Sequence, residues 1–452
     1  MVRLLCVTSG LSGLLYTSAE LARRLAAAGH EVIYMSAPTA RELVESLDLR
    51  FEALPEDRRA DVVAADAELG LITRWSQRRA RREALAEASG ARAFAKRVTE
   101  LSPDLILLDA ELHELRIAAS STGVPIALLN TFVATWRSPG LPPPHHLVVP
   151  GKGFVGSRIG LAALWLQLDL RKRRRLLRNR LRDVGADRVA VLEHLASEAG
   201  FDLGREADVR QWPMPFTYHN LPLLSLHARE FEFPHEPPKH VRFLGPMFLE
   251  ERADKRVTTQ VRARLDALYA ARESAGGARK LIFAGFGSFF STDSAFLERL
   301  FEAVGARPDW HLVLSLGGKL EPSALGALPE NVTALPWVPQ LEVLRHVDAA
   351  ITHGGINTLD ECIASGVPTL TYCGFETDMP GTTARVAYHR LGLIGDRERD
   401  DAATIRASLA RLIDEPDIRE RVEAMSERYA AYAKDCVPER VVASLLARDA
   451  AG

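Results

Sequence analysis

A short apolar run over residues 349–352 leads straight into His353, Gly354 and Gly355 and then into a second apolar-periodic stretch, residues 357–364. Few architectures accept that layout. The run reads as a short buried strand, and the stretch as a helix whose start is marked by Asn357 and Thr358. The glycines let the backbone turn tightly, so the first helical N–H groups, the imidazole and the Asn357 and Thr358 side chains can converge on phosphate oxygens. A diphosphate suits that anion site.

The surrounding register extends the pattern: W-V-P-Q at 337–340, H-G-G-I-N-T at 353–358, Glu361, G-V-P at 366–368 and Asp378. With these spacings the segment resembles the nucleotide-sugar signature of the UDP-glycosyltransferase superfamily, glycosyltransferase family 1. The resemblance implies an α/β chain of the GT-B fold, two Rossmann-like domains facing a cleft, with a UDP-sugar as donor and no cofactor. It further implies that Trp337 and Val338 meet the uracil and that Gln340 and Glu361 hold the ribose hydroxyls. Ser288, His353, Gly355, Asn357 and Thr358 would hold the diphosphate, and Asp378 and Met379 would face the sugar. The chemistry is sound on its own terms, since an indole face suits a planar base and a carboxylate accepts hydrogen bonds from a vicinal diol.

Length and composition agree with that size of machine. At 452 residues the chain accommodates two compact units by the usual figure of about 100–200 residues per domain. An apolar content of 47% and a charged content of 26% are those of a soluble globular protein, and a net charge of −2 argues against nucleic-acid binding driven by overall charge. Cys6, Cys362, Cys373 and Cys436 are scattered, which suggests neither zinc nor a disulfide framework and makes a reducing, cytoplasmic compartment the default. The opening residues superficially resemble a signal peptide. Gly10, Ser12 and Gly13 interrupt the apolar run, however, and an amphipathic helix over 19–28 follows, so the segment reads as strand, glycine turn and helix.

Short apolar runs at 4–7, 32–35, 105–108, 126–129 and 223–226 alternate with helical periodicity and predict a parallel α/β domain over residues 1–235, which would bind the acceptor. A Pro-rich and then charged stretch, 236–278, reads as a linker region. The alternation resumes at 281–286, 311–316, 332–335, 349–352 and 369–372, predicting a nucleotide-sugar domain over 279–421. By the resemblance, residues 422–452 form a helix that crosses back to the first domain. Ser288 sits at the end of the opening strand of the second half, where ligands bind in such sheets.

The family pattern breaks in two places. Relatives carry a Gly-His pair in the first βα loop whose His deprotonates the acceptor; Ser12 and Gly13 stand there instead. Relatives commonly read D-Q-x-x-N where this chain has Asp378, Met379 and Thr382, which leaves the transferred sugar open. A general base is still needed. Asp109, closing the strand-like PDLILLD, is the first candidate, with Glu111 and His113 behind it and His145 and His146 on a Pro-rich acceptor loop. Asp109 also fits a plain helix-capping role.

Residues 153–182 join an apolar stretch containing Phe154, Leu164, Trp165 and Leu166 to eight Arg or Lys between Arg171 and Arg182. That layout suits an anionic membrane surface, and equally a solvated helix packing its leucines on the core. Arg74, Arg78, Arg79, Arg81 and Arg82 form a second basic run. The expected function is a metal-independent, inverting glycosyltransferase acting on a hydroxyl of a hydrophobic small molecule or lipid, with peripheral attachment to the inner membrane face as a possible partner surface. The alternatives are a non-catalytic nucleotide-sugar-binding protein and a nucleotide-sugar epimerase or hydrolase.

Overall fold

The computed structural model describes residues 1–208, 217–250, 257–287, 293–374 and 378–449. Runs of β-branched and leucine residues with no polar alternation must be covered on both faces, and here they form two parallel sheets flanked by helices. The first sheet uses β1 (Arg3–Val7), β2 (Glu31–Ser36), β3 (Arg50–Ala53), β4 (Leu105–Asp109) and β5 (Ile126–Asn130). A two-stranded ribbon, β6 (Ala207–Asp208) and β7 (Thr217–Tyr218), precedes β8 (Leu223–Ser225) and β9 (Val241–Phe243). Strand order in this sheet is β3-β2-β1-β4-β5-β8-β9, parallel throughout.

The second sheet contains β10 (Lys280–Gly285), β11 (Trp310–Ser315), β12 (Val332–Leu335), β13 (Ala349–Thr352), β14 (Thr369–Tyr372) and β15 (Gly392–Gly395), in the order β12-β11-β10-β13-β14-β15. These are also parallel. The chain therefore has two Rossmann-like domains, and each sheet reverses its winding once, between β1 and β4 and between β10 and β13. Those reversals open crevices outside the strand carboxyl ends.

Two local features depart from the sequence reading. The stretch read as a linker contributes β9, and Leu244, Met247 and Leu249 are buried in the first domain's core behind it. An edge strand tolerates neighbouring prolines, so the Pro-rich composition did not exclude it. The first helix starts at Ser12 rather than near residue 19 and ends at Ala27. Glycine in a first turn forfeits little, because the N–H groups there have no intrahelical partner in any case.

The domains share a buried seam. Val133, Ala228 and Phe231 of the first pack with Ile356, Leu359, Ile363 and Val386 of the second, together with Val422, Met425 and Tyr429 of the helix Pro416–Lys434. The last helix, Val437–Asp449, lies against the helix Ser12–Ala27 and sends Val442 and Leu445 into the first domain's core. No helix among the described residues is long and apolar enough to cross a membrane.

Candidate active site at the interdomain cleft

In the second domain, β13 delivers His353 beside Gly287, two residues past the end of β10. A Cβ added at Gly287 would lie 3.0 Å from His353 Cε1, and one at Gly355 would lie 2.8 Å from Nε2, so the imidazole is held between two glycine backbones. Burial pushes the His353 pKa down to about 4, against a backbone hydrogen bond with Gly285, and the ring is neutral near pH 7. The helix Ile356–Ala364 begins immediately after, and its N-cap, Gly355, has no side chain to cap its first N–H groups. Neutral imidazole and open helix amides are an arrangement that accepts an anion without a buried counter-charge.

Of the other residues expected at the nucleotide, Gln340 meets Thr358 and Glu361 of this helix. Gln340 Nε2 donates to Glu361 Oε2 at 2.6 Å and lies 3.5 Å from Thr358 Oγ1. Trp337 stands against the Gly318 turn, where a Cβ would come within 2.5 Å of the indole Nε1. Val338 instead turns its side chain into the core with Leu335, Val343 and Leu344. Ser288 lies outside the described residues. Asn357 reaches across the cleft, its Nδ2 donating to the Gly13 carbonyl of the first domain.

The helix Met379–His389 opens with Asp378, whose Oδ2 accepts from the Val133 amide of the first domain at 3.2 Å. Met379 is buried, and Thr382 Oγ1 donates to the Gly354 and Met379 carbonyls. Thr382 thus ties this helix to the His353–Gly355 turn.

On the first domain's side the three base candidates separate. Asp109 is almost wholly buried, with Oδ1 accepting from the Glu111 amide at 2.9 Å and Oδ2 from the Ser9 amide at 3.4 Å. It braces the two loops at the β1–β4 reversal. Burial raises its pKa over these hydrogen bonds. His113 points into the core, where Nδ1 meets the Tyr218 hydroxyl at 3.0 Å and burial pushes its pKa down to about 3. Glu111 is half-buried, and desolvation, then the Asp109 charge and the Asp378 charge from the opposite domain, push it up to about 7 against Arg188. His145 and His146 stack obliquely with ring centroids 4.4 Å apart, and burial pushes His145 down to about 4. Their loop is clamped to the second domain, since a Cβ at Gly381 would come within 2.3 Å of the Pro144 carbonyl.

The second basic run serves the fold: Arg81 is buried on Asp66 at 2.6 Å, and Arg82 donates to the Gly185 carbonyl. A hollow of about 650 Å³ lies beside it, lined by Val63, Leu85 and Val191 together with Arg59 and Arg188. No local sequence pattern points to Glu232. It is fully buried at the seam, bonded to Arg385 of the second domain, to His227 Nε2 at 2.9 Å and to the Ala134 amide at 2.6 Å. Arg385 Nη1 donates to the Gly381 carbonyl at 2.9 Å, and the guanidinium covers the Phe233 ring. Partners this distant in the chain leave no local pattern.

Residues 298–447 match the family model described as Erythromycin biosynthesis protein CIII-like, C-terminal domain. Oleandomycin glycosyltransferase from Streptomyces antibioticus is 31% identical over 206 residues, which is 44% of this chain and 47% of that protein. The match thus spans about half the length of that curated relative. Among solved structures, the glycotransferase of kitacinnamycin superposes with a TM-score of 0.68 at 23% identity, covering 99% of this chain and 98% of the other. The glycosyltransferase VinC in complex with dTDP superposes with a TM-score of 0.60 at 20% identity, covering 99% and 98%. Both share the fold. With the paired Rossmann-like domains and these likenesses in hand, the chain has the GT-B fold, and its second domain is similar to the family described as Erythromycin biosynthesis protein CIII-like, C-terminal domain.

Proposed function

We propose that this protein is a glycosyltransferase that moves a sugar from a UDP-sugar to a hydroxyl of a hydrophobic small molecule or lipid, by one inverting displacement that needs no metal. The observation that carries the reading is that Asn357 and Asp378 of the second domain meet Gly13 and Val133 of the first, with the half-buried Glu111 carboxylate, which burial and then the Asp109 charge push up to about 7, on the first domain's side. A general base works best when its pKa is near the operating pH. As the acceptor oxygen bonds to the anomeric carbon, its proton passes to Glu111. The bond from that carbon to the diphosphate breaks, and its electron pair leaves on the phosphate oxygen. His353, Asn357, Thr358 and the amides of the helix Ile356–Ala364 meet that charge, a role otherwise open to a divalent cation. Attack from the first domain on a donor held by the second inverts the anomeric carbon. Trp337, Gln340 and Glu361 take the nucleoside, Asp378 faces the sugar, and Gly13, His145 and His146 border the acceptor.

A tuned base counts against a non-catalytic binding protein, and an epimerase or hydrolase would release product with no acceptor present. His353→Ala is expected to weaken UDP binding by ~1.5–3 kcal/mol, the scale of a hydrogen bond to a charged group. Unchanged UDP affinity in calorimetry on the folded variant refutes the diphosphate assignment. A thymidine donor is the second reading, favoured by the dTDP complex of VinC. A carboxylate bridging ribose hydroxyls loses a contact without the 2′-OH, so kcat/KM for the UDP-sugar should exceed that for its dTDP counterpart, and the reverse order selects the second reading.

The protein is further proposed to work in the cytoplasm and to rest on anionic membrane through residues 153–182. Support comes from the helix Arg158–Arg182, where exposed Ile159, Leu166, Leu170, Leu177 and Leu181 recur at helical spacing with exposed Arg173 and Arg174 alongside. Salt-sensitive cosedimentation with phosphatidylserine vesicles, lost when both arginines are neutralised, is the expected result. Indifference to lipid charge refutes it.

A further inference from the structure

The helix Arg158–Arg182 buries a stripe of Leu161, Trp165, Leu168 and Lys172, four positions at helical spacing of which three are apolar and the fourth is a lysine. Lys172 is 7% exposed, and its ammonium nitrogen has no hydrogen-bond partner among the described residues. A buried amine without a partner costs free energy that an apolar residue in the same stripe would not. Such a residue is a poor choice for packing and a good one for a ligand.

Its surroundings lie on the acceptor side of the cleft. The stripe packs under the loop that carries the two histidines, with Trp165 Nε1 donating to the Leu141 carbonyl at 2.7 Å and Asp169 pairing with Arg137 at 3.6 Å. The same loop touches the second domain at Gly381, close to Asp378. Lys172 acts electrostatically on His145 of that loop and on His113, which starts the helix His113–Ala119 just after Glu111. His145 Nδ1 is a second buried atom with no partner among the described residues. Arg171 and Arg175 add positive charge nearby, while Asp169 and Asp208 act on Lys172 from beyond hydrogen-bond reach.

We propose that Lys172 and His145 form an anion-recognition subsite of the acceptor pocket, and that the hydroxyl acceptor carries a carboxylate or a comparably acidic group. Its role as an acceptor subsite rests on the glycosyltransferase reading; anion binding by Lys172 does not. Burial pushes the Lys172 pKa down to about 7, and a bound carboxylate restores the full positive charge. A charge-assisted hydrogen bond then satisfies a nitrogen that folding alone leaves bare.

The test is calorimetry on the full chain with UDP present, comparing 6-hydroxy-2-naphthoic acid with its methyl ester. These probes share a phenolic hydroxyl and a ring system and differ in the anion. The acid is expected to bind about tenfold or more tightly than the ester, as one charge-assisted hydrogen bond implies. Lys172→Met should erase that difference while leaving ester and UDP binding unchanged, and Lys172→Arg should keep part of it. His145→Gln provides the same comparison should the methionine variant fail to fold. Equal binding of acid and ester, an equal loss of both in Lys172→Met, or no binding of the acid overturns the proposal. Selective acid binding without sugar transfer to either probe or to any of a panel of acceptors would leave the subsite standing and remove the glycosyltransferase reading. Transfer to neutral and acidic acceptors alike would do the opposite.

Discussion

Replacing Glu111 by glutamine keeps its volume and removes only its ability to take a proton. A positioned general base contributes about 10²–10⁴ in rate, so transfer should fall by that factor, ~2.7–5.5 kcal/mol of barrier, while UDP affinity stays unchanged. The pH profile gives the sharper test, because burial and the charges of Asp109 and Asp378 move this carboxyl from 4.5 to about 7. At pH 5 a group titrating at about 7 is roughly one part in a hundred ionised, whereas an unshifted carboxyl is about three-quarters ionised. Single-turnover rates with saturating donor should therefore rise about a hundredfold from pH 5 to a plateau above pH 8, and Asp378→Asn should move that limb to lower pH. The same shift has a stability consequence of opposite sign. Between pH 4.5 and about 7 the unfolded chain has released a proton that folded Glu111 retains, so the ionised residue subtracts stability above that window. Glu111→Gln should then raise the melting temperature at pH 8 and leave it unchanged at pH 4. A profile with its limb near 4.5, or a glutamine variant within twofold of the parent rate, refutes the assignment.

Gly318 has φ +69 and its missing Cβ would overlap the Trp337 indole, so Gly318→Ala should displace the ring. Weakened UDP binding and altered tryptophan quenching by UDP would register it; unchanged values place the base elsewhere. The buried Glu232–Arg385 pair should cost about 3–5 kcal/mol when either partner alone is removed, read by urea unfolding of Glu232→Gln and Arg385→Met. Arg385 and His227 hold the Glu232 carboxyl well below 4.5 despite its burial, so this stability is present above pH 4.5 and lost as pH falls below it. Gly13 lies in the first turn of its helix without a positive φ, and among the described residues a Cβ there meets Asn357 Nδ2 alone, at 3.6 Å. Gly13→His should therefore fold and should restore measurable transfer to Glu111→Gln; a folded but inactive double variant shows that the cleft no longer accepts a base from that side.

Much of the fold was legible because parallel strands buried on both faces must be apolar throughout, and glycine turns must follow them. The runs at 105–108, 126–129, 332–335, 349–352 and 369–372 announced strands within a residue of where they lie. The relative placement of the residues expected at the nucleotide was legible for a related reason. His353, Asn357, Thr358 and Glu361 hang on one strand–turn–helix unit, so local spacing fixes their relative positions. β9 escaped notice because an edge strand does not need the composition of a central one. The choice among Asp109, Glu111 and His113 was closed to the sequence altogether. Three neighbouring titratable residues look alike in a string, and their separation into a buried brace, a poised carboxyl and a core histidine depends on what the rest of the chain packs around each. Glu232 with Arg385, and Lys172 without a hydrogen-bond partner among the described residues, belong to the same class. Desolvation and pairing are sums over distant neighbours, and only the assembled tertiary structure sets them.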